Sequence, residues 1–264
     1  MKILFVYDMM PEHSLYWRDG LWGAIHLLGA DLVNIASMRV LTGGYDFVLG
    51  WGSPVSMGFL SSLKIKKGLC FGGGDINDPI LDKFDVVFVE NESQMIKPHF
   101  RHAFGTNTDL FRSNPNPKLI DALYPAAFAQ WKHQEKFADI CQREKLKGLA
   151  VGYIQENNLA ESLDLVMACV RRGVSVMDWI PGRALCDLYN MSKEVIITAD
   201  SMGGCERTIL EAKACDIPVR IESDSEKLHV LNKLTPEEVR ENWNHIEYSR
   251  KIKEGIDAVL TLRK

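Results

Sequence analysis

Residues 196–219 constrain the fold of this chain more than any other stretch. Ile196-Ile197-Thr198-Ala199 is an apolar, β-branched run, and Gly203-Gly204 breaks it. Helix-forming sequence follows through Glu211-Ala212-Lys213-Ala214, before Ile217-Pro218-Val219 returns to strand composition. The segment reads strand, glycine turn, helix, strand. A glycine turn at a helix start turns backbone N–H groups outward at the positive end of the helix dipole, which suits an anion. The same helix carries one carboxylate, Glu211, in its interior.

The rest of the chain repeats this alternation. In the first half, residues 2–7, 32–35, 47–50, 68–71 and 85–90 read as short apolar strands. Between the first two, Leu21, Ile25 and Leu28 share one helical face and Gly29 offers a stop. Near-continuous apolar strands separated by helices predict a parallel sheet covered on both faces. Ser113-Asn114-Pro115-Asn116-Pro117 is the best linker, since its prolines forbid regular pairing. Residues 119–144 read as helical, 148–153 as a strand, and Asn158 as the cap of a helix. Leu159, Leu163, Val166 and Val170 form one stripe on that helix, and Gly173 ends it. Residues 175–180 and 194–199 are further strands, with a short helix at Leu185, Leu188 and Tyr189 between them. Thr235-Pro236-Glu237-Glu238 is a capping box with proline at the first helical position, and helical sequence continues towards the end, in one or two pieces.

The bulk numbers exclude several classes. A length of 264 residues, 46% hydrophobic and 25% charged, fits one or two ordinary globular domains. A net charge of −4 offers no basic excess for phosphate backbones, so nucleic acid is not an expected partner. The six cysteines form no Cys-x-x-Cys pair, and five of them sit in segments that read as buried, as small hydrophobes in a reducing compartment. The apolar start, Met1 to Asp8, is too short for a signal peptide, and no stretch is long enough to span a membrane. A cytoplasmic location is the expectation. The histidines show no ligand spacing with cysteines or carboxylates, so neither a metal nor a cofactor is expected.

Gly203-Gly204-Cys205-Glu206, with Glu211-Ala212-Lys213-Ala214-Cys215-Asp216-Ile217-Pro218-Val219, resembles the donor-site signature of retaining glycosyltransferases of the GT-B fold. These are the family four type, or glycosyl transferases group 1. Phe104-Gly105-Thr106-Asn107-Thr108-Asp109-Leu110-Phe111-Arg112 resembles the segment that closes the first domain of the same family. The likeness covers roughly residues 80–220. It implies two doubly wound Rossmann-like domains facing a cleft. Residues 1–115 would take the acceptor, 116–234 the nucleotide sugar, and 235–264 would pack back on the first domain.

The resemblance also assigns residues. Glu211 would bind the donor's ribose hydroxyls; the alternative is a surface glutamate on an amphipathic helix. Gly203 and Gly204 would admit sugar and diphosphate to backbone N–H groups, with Cys205 and Glu206 beside them. The family's first glutamate falls on Gly203, however. Glu206 does not replace it, being rotated by about 140° from Glu211 around the helix, and its charge opposes a bound phosphate unless Arg207 or a sugar hydroxyl engages it. Tyr153 stands where the family has an arginine and Asn158 where it has a lysine. Arg207, in the first turn of the helix, is therefore the candidate catalytic cation alongside Gly203 and Gly204, against the alternative of a solvated residue. Trp179 and Ile180 follow a strand where the family holds the nucleobase; a core tryptophan is the other reading. On the acceptor side, Arg18, Asp19 and Gly20 lie in the first strand-to-helix connection, and Gly73, Gly74 and Asp75 follow a strand.

The function implied is metal-independent transfer of a sugar from a nucleoside diphosphate to a hydroxyl of a glycan or small-molecule acceptor, with retention. Two alternatives stand beside it. One is a nucleotide-sugar epimerase or sugar-phosphate synthase on the same fold. The other is a non-catalytic nucleotide-sugar-binding scaffold, motivated by Gly203, Tyr153 and Asn158.

Overall fold

The computed structural model describes residues 1–8, 20–37, 44–72, 74–155 and 158–261. The chain forms two compact units, Met1–Gly105 with Trp243–Lys264, and Thr106–Asn242.

The first unit is built on six parallel strands: β1 (Ile3–Tyr7), β2 (Asp31–Asn34), β3 (Phe47–Trp51), β4 (Lys67–Phe71), β5 (Val86–Val89) and β6 (Phe100–His102). Their order is β2-β1-β3-β4-β5-β6. The inner strands read as unbroken apolar runs because both their faces are covered; Leu4, Val6, Val48, Leu69, Val87 and Val89 are all buried in one core. The helices of this unit are α1 (Gly20–Leu27), α2 (Pro54–Ser62) and, from the end of the chain, α9 (His245–Thr261). Ser53 caps α2, accepting from the Ser56 N–H at 3.1 Å, and Pro54 sits at the first helical position, where a missing N–H costs nothing. Helix α9 lies against α1 and β5, and buries Tyr248, Ile252 and Ile256.

The second unit has five parallel strands: β7 (Ile120–Pro125), β8 (Gly148–Val151), β9 (Ser175–Met177), β10 (Ser192–Ile197) and β11 (Val219–Ile221), in the order β11-β10-β7-β8-β9. Its helices are α3 (Gln134–Glu144), α4 (Leu159–Arg171), α5 (Gly182–Met191), α6 (Glu206–Ala214), α7 (Glu226–Asn232) and α8 (Pro236–Asn242). The capping box before α8 forms as its sequence predicts: the Thr235 N–H donates to Glu238 at 2.7 Å and the Glu238 N–H to the Thr235 hydroxyl at 3.1 Å.

Two expectations are corrected. Residues 119–144 are not one helix: Ile120–Pro125 is the central strand of the second sheet, and only Gln134–Glu144 is helical. Ala122, Leu123 and Tyr124 are fully buried there, between β10 and β8. The alanines that follow disguise so short an apolar run as helix, and only pairing on both sides makes it a strand. On α4, the stripe of Leu159, Leu163 and Val170 is exposed, and the helix buries Ser162 and Cys169 instead. Asn158 does stand at the N-cap of α4, but its side chain makes no capping bond.

In doubly wound sheets, ligands bind beyond the strand C-termini where the strand order reverses. In the first unit that point lies between β1 and β3, and in the second between β7 and β10.

Candidate functional site

Two segments meet at the switch point of the second sheet: the loop after β7 and the turn after β10. Asp200 organises the turn. Its backbone N–H donates to the Trp131 carbonyl at 3.1 Å, its carbonyl accepts from Gly203 at 3.0 Å, and its carboxylate accepts from the Met202 N–H at 2.9 Å. Gly204 and Cys205 then take consecutive left-handed conformations, at φ 63° and 88°, to aim the chain into α6. No side chain caps that helix, so its N-terminal dipole is available to a ligand.

The loop after β7 is fastened from below. The Lys132 carbonyl accepts from the Tyr124 hydroxyl at 2.6 Å and the Thr198 hydroxyl at 3.0 Å, and the Thr198 hydroxyl also contacts the His133 carbonyl at 2.9 Å. The His133 ring lies 3.0 Å from the Glu135 carboxylate and 3.3 Å from that of Asp200. These bonds leave the Lys132 side chain reaching over the glycine turn. Its ammonium donates to the Cys205 sulfur at 3.4 Å and stands 3.4 Å from where a Cβ on Gly204 would be.

The geometry explains the absent carboxylate. A Cβ on Gly203 would fall 2.8 Å from the Ala199 Cβ, 3.2 Å from the Asp200 carbonyl oxygen, and against the Trp131 carbonyl oxygen. The backbone of the neighbouring loop occupies the space that a glutamate would need. Nor does Glu206 oppose an anion uncompensated. It is buried, 3% exposed, and bonded to the Lys227 ammonium at 2.8 Å. Lys132 and Lys227 are the two site cations that sequence reading missed. Lys132 lay within a stretch read as helix, and Lys227 belongs to α7, a helix the sequence reading did not anticipate. Arg207 is half-buried in the first turn of α6.

Glu211 is 5% exposed, so the surface alternative is excluded. Its Oε2 accepts from the Tyr189 hydroxyl on α5 at 2.8 Å. Burial and the adjacent carboxylate push the Tyr189 phenol well above its ordinary pKa, so it stays a donor. The Tyr189 ring meets Phe111 edge-on at 5.9 Å. Phe111 is placed by a turn in which the Asn107 side chain accepts from the N–H groups of Asp109 and Leu110, each at 3.2 Å. The two segments that carried the resemblance thus meet through Tyr189.

The remaining donor-side candidates spread along the same sheet end. Tyr153, half-buried, follows β8, and its carbonyl accepts from the Phe128 N–H at 3.0 Å. Asn158 is exposed. Trp179 and Ile180 are half-buried beyond β9, which excludes the core alternative for Trp179. In the first unit, Gly20 is the buried first residue of α1; Gly74 and Asp75 are exposed beyond β4, where the Asp75 carboxylate accepts from the Asn77 N–H at 2.9 Å. Arg18, Asp19 and Gly73 lie outside the described residues. At that unit's switch point the Ser53 hydroxyl donates to the Asp8 carboxylate, whose Oδ1 is buried and has no partner among the described residues. The only sequence signal for Asp8 was an acid ending an apolar strand.

Among the described residues no group of three His, Cys, Asp or Glu side chains is placed to hold a metal ion, and no helix is long and apolar enough to cross a membrane.

No protein-family model and no curated protein matches the chain. Solved structures do. AviGT4, a glycosyltransferase involved in avilamycin A biosynthesis, aligns with a TM-score of 0.64 at 12% identity, over 99% of this chain and 98% of its own. HepE of Anabaena, in complex with UDP and glucose, aligns with a TM-score of 0.61 at 11% identity, over 99% and 98%. The DNA-modifying enzyme beta-glucosyltransferase aligns with a TM-score of 0.57 at 14% identity, over 97% and 100%. At such identities the likeness establishes the fold: two doubly wound parallel α/β units of the GT-B type.

Proposed function

We propose that this chain is a glycosyltransferase that takes its sugar from a nucleoside-diphosphate donor held by the second unit. The observation that carries the reading is the switch point of that unit. There the Lys132 ammonium, the glycine turn and the N-terminus of α6 converge, while Glu211 lies about one and a half turns along the same helix. The diphosphate sits at the turn, and Glu211, oriented by Tyr189, accepts from ribose hydroxyls. Tyr153 and Trp179 flank the nucleobase side. The uridine diphosphate in the HepE structure makes a uridine donor the first to test.

Chemistry follows from charge. As the glycosidic bond breaks, negative charge develops on the leaving diphosphate. Lys132, Arg207 and the helix N-terminus stabilise it, each such donor contributing a few kcal/mol to the transition state. These fixed charges serve in place of a metal. The leaving phosphate itself helps deprotonate the acceptor on the same face, so the configuration is retained. The acceptor falls to the first unit, at Gly20, Gly74, Asp75 and the Asp8–Ser53 pair.

Calorimetric titration with nucleoside diphosphates and nucleotide sugars tests the reading, with turnover followed by release of the diphosphate. Binding should persist in EDTA and weaken in Glu211→Ala by about 1.5–3 kcal/mol for donor and nucleoside diphosphate alike. A folded protein that binds none of them overturns the proposal. Gly203 favours a second reading, a nucleotide-sugar-binding scaffold, because the turn excludes the family's carboxylate. That reading is selected by tight donor binding without turnover across an acceptor panel.

A further inference from the structure

Helices α5 and α6 are joined by two rungs. One is Tyr189 to Glu211. One helical turn away along each helix, the Cys186 and Cys215 sulfurs stand 3.9 Å apart, both as free thiols. Their surroundings differ. Cys215 is 1% exposed at the C-terminal end of α6, and its hydrogen bond to Cys186, with burial, holds it as a thiol. Cys186 accepts a hydrogen bond from the Asn190 side-chain amide at 3.5 Å. It also lines an open pocket of about 390 Å³ whose wall includes Arg112 and Arg183. The hydrogen bond from Cys215, joined by that from Asn190, holds Cys186 below the ordinary thiol range. By contrast, burial pushes Cys141 and Cys169 up to about 12. Cys186, itself 3% exposed, is the sulfur at the pocket wall, where a small oxidant arrives first, and Cys215 is the resolving thiol within reach.

We propose that Cys186 and Cys215 form a peroxide-sensitive dithiol that closes to a disulfide beside the Glu211 rung. The Cys186 thiolate attacks a peroxide oxygen; the S–O bond forms, the O–O bond breaks, and hydroxide leaves as water after taking a proton. Cys215 then attacks the sulfenic sulfur. The S–S bond forms, the S–O bond breaks, and the departing hydroxide takes the Cys215 proton, so two thiols are oxidised and one peroxide is reduced to two waters. Closing from 3.9 Å to a bond of about 2.05 Å draws α5 and α6 together and displaces the neighbouring Tyr189–Glu211 bond. The resulting loss of donor affinity rests on the assignment of Glu211 above; the disulfide does not.

The test is hydrogen peroxide treatment of the folded full chain, followed by thiol titration and peptide mass mapping. Two of the six thiols should disappear, with Cys186 and Cys215 in one linked peptide, and dithiothreitol should restore them. Cys215→Ser should stop at a sulfenic acid on Cys186 that dimedone traps, and Cys186→Ser should keep Cys215 as a thiol. In the wild-type chain, persistence of all six thiols, oxidation confined to Cys205, or a link to any other cysteine overturns the proposal, whether or not the variants fold. UDP titration before and after oxidation then reads the consequence separately. An intact disulfide with unchanged UDP affinity retires the coupling to Glu211 and leaves the dithiol standing.

Discussion

Replacing Gly203 with alanine tests whether the turn is closed to any side chain. The added methyl would lie 2.8 Å from the Ala199 Cβ, nearer still to the Trp131 carbonyl oxygen. Carbon pairs rest at about 3.5–4.0 Å, so the strand end and the loop must part by roughly 0.7 Å or more. The loop has little room to yield. Its Trp131 carbonyl accepts from the Asp200 N–H, and the next carbonyl is held by Tyr124 and Thr198. Overpacking of this kind costs about 1–3 kcal/mol, and weakening the Asp200–Trp131 bond adds about 1 kcal/mol. The second unit should therefore lose about 2–4 kcal/mol, read in urea as a midpoint lowered by roughly 1–2 M. Gly203→Glu, which restores the acid of the resembled family, should lose at least as much and bind donor no better. An alanine variant within about 0.5 kcal/mol of wild type, or a glutamate variant with tighter UDP-sugar binding, would refute the steric account.

Three further outcomes are expected. Lys132→Gln should weaken UDP by about 1.5–3 kcal/mol while leaving uridine unaffected; an equal loss for both in calorimetry would remove the lysine from the phosphates. Lys227→Met strips the ammonium from the buried Glu206 and should cost about 3–5 kcal/mol, largely recovered when Glu206→Gln is added; a single variant as stable as wild type in urea would contradict this. In the first unit, burial and the Lys251 ammonium depress His102 from 6.5 to about 4. Its unfolded form takes up a proton first as pH falls, so His102 contributes stability above about pH 6.5 that is lost towards pH 4, at most about 3 kcal/mol. His102→Leu should flatten the fall in urea midpoint across that window, and an unchanged slope would place the titration elsewhere.

Five of the six strands of the first sheet were legible in the sequence, the inner ones because both their faces are buried and they read as apolar runs between helical patterns; the edge strand β6, three residues with only Phe100 buried, carries no such run and went unread. The glycine turn and α6 were legible for a related reason: the order of strand, turn and helix is local, and local chemistry specifies it. The centre of the second sheet was not. Ile120–Pro125 becomes its middle strand only because β10 and β8 pair with it across long sequence separations, and no window of sequence holds that information. The same limit governed the charges. Sequence could register that Tyr153 and Asn158 lack the family's cations, but a replacement need only be near in space. Lys132 reaches Cys205 from 73 residues away, and Lys227 reaches Glu206 from another helix. Gly203 makes the point most sharply. From sequence it reads as a lost carboxylate, whereas the packed chain has the Trp131 carbonyl where that side chain would begin. Residue type and local order set the elements and the anion-binding turn; which charges serve that turn, and which side chains it excludes, was decided by close packing between segments distant in the chain.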